Sequence, residues 1–336
     1  MFNKIYENVK EFILSNFSFI IFLIIIIVCT FVKLPYQVEM PGGTIDLSNR
    51  VKVNGEKVEV DGTFNMAYVS VVQGSIPYLL LGAILPDWDV VKSSDVTYEG
   101  ETIEEANKRD RLYLEQSKDY AIVTAMDAAG LDYEITDRIN YVAYISTEAD
   151  TTLKIGDDII SCDGTEVMDI QSVKSIINSK NAGDEISFVV LRDGKEKEAT
   201  AKIYEEDDSL YVGISSITTV DIKSDIDVEI NTKLSESGPS GGMMMALMTY
   251  NALTKQDLTH GKNIVGTGTI NLDGTVGEIG GVKYKLMGAV RKNADVLLVP
   301  EGNYEEAMKV KKDKGYDIDI VSVKTLSDAI NYLEGL

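Results

Sequence analysis

Thr267-Gly268-Thr269-Ile270-Asn271-Leu272-Asp273-Gly274-Thr275-Val276-Gly277-Glu278-Ile279-Gly280-Gly281-Val282-Lys283-Tyr284-Lys285 is the stretch that decides the fold. It closes a strand predicted over 263–270, holds a short strand around Val276 and opens a helix predicted over 282–292. Outward from it the same alternation continues. Strands are predicted at 228–231, 296–299 and 318–323, and helices at 241–253, 304–311 and 326–333. Alternating strands and helices of this length predict an α/β domain.

Upstream of that stretch stands Gly238-Pro239-Ser240-Gly241-Gly242, a glycine-rich turn leading into the helix over 241–253. A serine hydroxyl is a poor nucleophile until a base removes its proton, and a desolvated lysine can be that base. The turn also sets backbone N–H groups at a positive helix end, suited to a developing oxyanion, and its glycines let a substrate backbone come close. By itself the pentapeptide is an ordinary turn composition. Two lysines compete as base. Residues two apart on a helix point about 200° from one another, so Lys283 and Lys285 cannot both face Ser240. Lys285 shares a face with Val282 and Ala289, and Lys283 with Leu286, Met287 and Val290, so periodicity leaves both open. Either must lose roughly three pKa units from ~10.4 to work near neutrality. Met243 to Met245, Leu247 and Met248 offer apolar lining, although helix core is the plainer reading for them.

With these residues in view, the carboxy-terminal domain resembles the proteolytic domain of the Lon family. That family carries a P-S-[AG]-G turn followed by T-G-x-I-x-x-x-G-x-V-x-x-[IV]-G-G-x-x-x-K. The resemblance implies a Lon-type α+β proteolytic fold and a Ser-Lys dyad: Ser240 as nucleophile, Lys285 as base by its count from Gly280-Gly281, and Thr267 bonding the lysine. Gly238 and Gly241 support the turn. Gly241 stands where alanine is usual and Ser237 where glycine or an acid is common.

From 137 to 204 the pattern changes to short strands around one helix predicted over 170–178, with Leu153-Lys154-Ile155-Gly156-Asp157-Asp158-Ile159 and a turn at Arg192-Asp193-Gly194-Lys195. This stretch resembles a PDZ domain of the bacterial protease-associated kind. The resemblance implies that a peptide adds as a strand beside 142–145 with 170–178 as the opposite wall. Asn140, Tyr141, Val142, Ala143 and Tyr144 are then the peptide-binding residues.

Phe12 to Val32 carry no charge over 21 residues, enough at about 1.5 Å per residue to cross a bilayer as one transmembrane helix. A cleaved signal peptide is the competing reading, but no small-residue cleavage site follows. The strands expected over 50–72 are antiparallel, with turns at Asn54-Gly55 and Asp61-Gly62, and a helix opens at Thr102 and closes near Gly130. The chain has a net charge of −22, and beyond residue 33 it holds 29 basic and 52 acidic residues. Such a surface disfavours nucleic acid and anionic headgroups. One histidine, His260, excludes two-histidine metal sites, and no Walker A motif occurs. Neither cofactor nor metal is expected.

The expected organisation is 1–35, cytoplasmic tail and membrane helix; 36–118, strands and a helix without assigned function; 119–205, PDZ domain; 206–336, Lon-type domain. The whole resembles the membrane-bound Lon-like PDZ peptidases of Gram-positive bacteria. The implied function is an ATP-independent, single-pass membrane serine endopeptidase with an extracellular body. It would cleave secreted peptides or flexible regions of envelope proteins, with oligomers open. The alternative is a catalytically inactive PDZ scaffold of the envelope.

Overall fold

The computed structural model describes the backbone from residue 2 to residue 336 and side chains from residue 5. The first elements are α1 (Phe2–Ser15), α2 (Phe17–Phe31), β1 (Tyr36–Asp46), β2 (Val51–Val53), β3 (Glu56–Lys57), β4 (Thr63–Gln73), α3 (Ile76–Ile84), β5 (Asp89–Lys92) and α4 (Ile103–Ala129). Then come β6 (Glu134–Ile145), β7 (Asp158–Cys162), β8 (Thr165–Glu166), α5 (Ile170–Asn178), β9 (Glu185–Arg192), β10 (Lys195–Lys202), β11 (Tyr204–Glu206), β12 (Ser209–Tyr211) and β13 (Ile214–Lys223). The last are β14 (Val228–Ile230), α6 (Gly242–Thr254), β15 (Asn263–Gly266), β16 (Thr269–Ile270), β17 (Val276–Gly277), α7 (Val282–Arg291), β18 (Val296–Pro300), α8 (Glu301–Lys314), β19 (Asp319–Val323) and α9 (Leu326–Glu334).

Contacts divide the chain into two units, one formed up to Met40 together with Ser70–Val96, the other by Pro41–Val69 with Thr97–Leu336. In the smaller unit Tyr36 to Glu39 of β1 pair antiparallel with β5. The uncharged segment expected to be one transmembrane helix is broken here. Asn16 interrupts it, α1 and α2 meet at 75°, and no single described helix is long and apolar enough to cross a membrane. Ser15 Oγ and Asn16 Nδ2 both donate to Phe12 O, local bonds that compete with continuation of the helix. The 15 residues of α2 reach about 22 Å against roughly 30 Å of hydrocarbon.

In the larger unit the order β19-β18-β15-β4-β1 makes the main sheet. β15 runs parallel to both β18 and β4, with Thr63 opposite Asn263 and Met66 opposite Gly266. The expectation of antiparallel strands over 50–72 holds for the β2–β3 hairpin at Asn54-Gly55, whereas β4 lies parallel to β15. A sequence announces its turns locally, whereas the partner of β4 lies far along the chain. α6 is buried throughout Gly242 to Ala252, and α4 packs along it, with Leu114, Ala121 and Ala125 joining Met243 to Met248 and Phe64 in one core. α4 is fixed at its start by a capping box between Thr102 and Glu105 and stopped by Gly130 at φ 66°. The division expected at 118/119 falls inside this helix.

A second sheet, β10-β9-β7-β6-β13, wraps with α5 around a separate core that includes Val142, Ile159, Val173, Phe188 and Ile203. α5 begins at Asp169, whose carboxylate accepts from Ser172 N, and covers the residues expected for it.

Candidate active site

Ser240 sits on the turn that delivers the chain into α6. Gly238 has φ 85°, a backbone state open to glycine, and its N–H donates to Asp110 O of α4 at 2.8 Å. Ser117 Oγ, also on α4 and buried, donates to Pro239 O at 2.9 Å, and Gly242 N reaches the same oxygen at 3.1 Å. Two glycines follow because the helix start is packed closely. A Cβ at Gly241 would lie 2.7 Å from Met66 Sδ, and one at Gly242 would lie 2.7 Å from Ile270 Cγ2 and 3.1 Å from Ile270 N. Gly242 N is taken by Pro239 O and Met243 N by Gly268 O. Among the described residues, the N–H groups of Ser240 and Gly241 keep no internal acceptor, so two donors at a helix start are left for a bound oxygen.

The carbonyl of Ser240 accepts from Gly268 N at 2.8 Å and from Thr267 Oγ1 at 3.0 Å. Thr267 is fully buried and its own N–H is held by Leu298 O of β18. Lys285, on the second turn of α7, is 3 % exposed and donates from Nζ to Thr267 Oγ1 at 3.1 Å. Because the threonine hydrogen is committed to Ser240 O, its oxygen serves the amine as acceptor, which orients Nζ. Burial alone pushes the Lys285 pKa down to about 8, since the ammonium is denied water and nothing of opposite charge replaces it. Lys283 is half-buried and places its ammonium 5.1 Å from the Tyr284 ring centre. Of the two lysines, the one joined through Thr267 to the serine turn is Lys285.

The break before α7 has its own clamp. Asn303 of α8, 6 % exposed, accepts from Ile279 N and donates to Ile279 O, each at 2.9 Å, and Gly281 enters the helix at φ 68°. Met243 to Met245, Leu247 and Met248 belong to the main core. Ser117, Asp110 and Asn303 carried no motif in the sequence. A hydroxyl in the middle of a long helix gives no hint of the carbonyl it meets.

Residues 211–334 match the family model of the Lon protease (S16) C-terminal proteolytic domain, and residues 130–203 match that of the PDZ domain. The chain carries a Lon-type proteolytic domain and a PDZ domain. Lon protease of Geobacter metallireducens is 30% identical over 113 residues, which are 33% of this chain and 14% of that protein. Lon protease of Clostridium acetobutylicum is 28% identical over 184 residues, 50% of this chain and 23% of that one. The chain thus spans less than a quarter of these relatives. The PDZ domain of the SdrC-like protein from Listeria monocytogenes is similar at 24% identity, covering 25% of this chain and 93% of that one, with a TM-score of 0.22.

The PDZ domain differs from expectation at its groove. The strand expected to accept a peptide, with Asn140, Tyr141, Val142, Ala143 and Tyr144, has no free edge. β13 pairs with β6 from Ile145 to Glu134, and β7 lies on its other side at Tyr141. Asn140, Val142 and Ala143 are buried, Asn140 Oδ1 accepts from Thr218 Oγ1, and Tyr144 OH donates to Glu99 O. The strand that closes this edge comes after the PDZ pattern ends, so the pattern alone could not reveal it. β13 is itself the end of the sheet. α4 holds part of its length, with Gln116 Nε2 donating to Thr218 O at 2.9 Å and Asp119 Oδ2 accepting from Val220 N at 3.3 Å. One helix therefore bonds both to the PDZ edge strand and to the turn of Ser240.

Proposed function

We propose that this chain is a membrane-anchored serine endopeptidase of the Ser-Lys type that works without ATP. Ser240 Oγ attacks a peptide carbonyl while neutral Lys285 Nζ takes its proton. The new O–C bond forms an acyl-enzyme, the C–N bond breaks, and the proton passes from Lys285 to the leaving amine. Water then attacks the ester carbon and gives a proton to Lys285, the bond from that carbon to Ser240 Oγ breaks, and Lys285 returns the proton to Oγ, which regenerates Ser240. The observation that carries this reading is the shared hydroxyl of Thr267, which bonds Lys285 Nζ at 3.1 Å and Ser240 O at 3.0 Å while burial lowers the lysine pKa to about 8.

Gly238 and Gly241 shape the turn, and the free N–H groups of Ser240 and Gly241 suit the oxyanion. The bent α1–α2 pair, uncharged from Phe12 onward, supplies the anchor, with the acidic body outside the cell. The sequence holds no Walker A motif to drive unfolding, so extended peptides, tails and loops are the fitting substrates.

Ser240→Ala and Lys285→Ala, assayed on an unstructured peptide, each abolish turnover; either variant keeping the wild-type rate defeats the proposal. A fluorophosphonate adduct mapped to Ser240 separates the enzyme from an inactive scaffold, which would give none.

A further inference from the structure

The smaller unit holds a helix with an unusual surface. None of the nine residues of α3 is buried. Ile76, Leu80 and Ile84 form a stripe at i, i+4 and i+8, with Leu80 59 % and Ile84 76 % exposed, and Leu81 and Leu85 widen it. The opposite side is seated: a Cβ at Gly82 would come within 2.6 Å of Val90 Cγ2 and 3.6 Å of Val38 Cγ1, so β5 and β1 lie close beneath it. From Thr63 to Pro86 the sequence has no charged residue. A soluble monomer rarely shows water so continuous an apolar patch.

The chain itself says what lies against that patch. α2 ends at Phe31, Leu34 N donates to Gly74 O at 2.8 Å, and Gly74 N donates to Tyr36 O at 2.7 Å. α3 starts two residues after Gly74 and touches α2. The patch is therefore held at the level where the apolar N-terminal segment ends. Beyond it the sequence runs from Leu85 through Pro86 to Asp87, Trp88 and Asp89, passing from apolar to aromatic and charged. That order matches the profile of a membrane interface. Nine residues span about 14 Å, too short to cross, so the helix fits lying in the plane of the bilayer.

We propose that α3 is a second membrane contact, immersing Ile76, Leu80 and Ile84 in the leaflet on the side of the catalytic body. This inference rests on the membrane-anchored reading of α1–α2. The uncharged patch touches lipid while the acidic remainder of the chain stays in water, so the net charge of −22 does not oppose it.

Trp88 is the sole tryptophan, which makes the test direct. The full chain carrying Trp88→Phe and Ile84→Trp is reconstituted in phosphatidylcholine–phosphatidylglycerol vesicles, with and without acyl-chain bromine. The expected result is a blue-shifted indole whose emission falls by about half with brominated lipid and resists aqueous acrylamide. Adding Leu80→Asp should restore emission in brominated vesicles while leaving turnover of a soluble peptide unchanged. Alkaline carbonate treatment of the same vesicles separates the two readings. A chain washed off overturns the anchor and this contact together. A chain that stays with an unquenched indole overturns this contact alone, and an indole shielded from acrylamide but not quenched by bromine, with concentration dependence, assigns the patch to a second copy instead.

Discussion

Lys285 carries two opposed demands in one side chain. Its burial lowers the pKa to about 8, which makes a neutral amine accessible, and the same burial costs on the order of 3 kcal/mol while the group is charged in the unfolded chain. The folded pKa lies below the unfolded value of about 10.4, so the folded state binds fewer protons between them and stability rises with pH through that window. Lys285→Met removes the penalty. The variant is expected to be inactive, to melt higher than the parent at pH 7, and to lose that advantage as the pH climbs past the unfolded value, as calorimetry across pH will read. For the intact chain, kcat/KM on a peptide without ionisable groups should rise with pH to a plateau above about 8. At the turn itself, Gly241→Ala meets only the flexible end of Met66, whereas Gly242→Ala meets Ile270 N at 3.1 Å and Ser117 Oγ at 2.9 Å. The first should keep most activity. The second should lower both melting temperature and turnover, by about 1–3 kcal/mol of stability.

Among the elements, α4 has the widest reach, bonding to Gly238 N through Asp110 O, to Pro239 O through Ser117 and to β13 through Gln116 and Asp119. Asp119 titrates near 6, raised chiefly by desolvation and held back by the Val220 N–H it accepts. A carboxyl raised in the folded state gives stability that is whole below about 3.9 and lost as pH rises through about 6. Asp119→Asn keeps an acceptor for Val220 N, so it should stabilise the protein at pH 8 and make little difference at pH 4 in thermal melts. Ser117→Ala leaves Pro239 O to Gly242 N alone and should cost about 0.5–1.5 kcal/mol and reduce kcat more than KM.

What the sequence made legible follows from range. α5 was readable to the residue because Asp169 and the apolar spacing that follows are local signals, and Ser240, Thr267 and Lys285 stood out as candidates because each falls within one of two short contiguous motifs. The enclosure of the 140–144 edge by β13 and the parallel seat of β4 were not, since strand pairing across long separations leaves no local trace. The bend at Asn16 was missed for the opposite reason: no charge interrupts 12–32, and the short polar step at Ser15 and Asn16 sufficed to break the helix.

At the scale of the molecule, charge selects. A chain with 54 acidic and 32 basic side chains attracts cationic peptides over distances near a Debye length. A lysine-rich peptide should therefore be cleaved with higher kcat/KM than its glutamate-rich counterpart at low salt, and the gap should narrow at high ionic strength in a steady-state assay.

The seat of β4 also dictates when the protein can become itself. Thr63 bonds Asn263 across 200 residues, so the centre of the main sheet stays open until the last quarter of the chain has emerged. Non-local closure of this kind is slow and leaves an apolar strand unpaired in the interval. On the proposed reading, a growing polypeptide has no assembled site until β15 has joined the sheet, and cleavage becomes available only after that step.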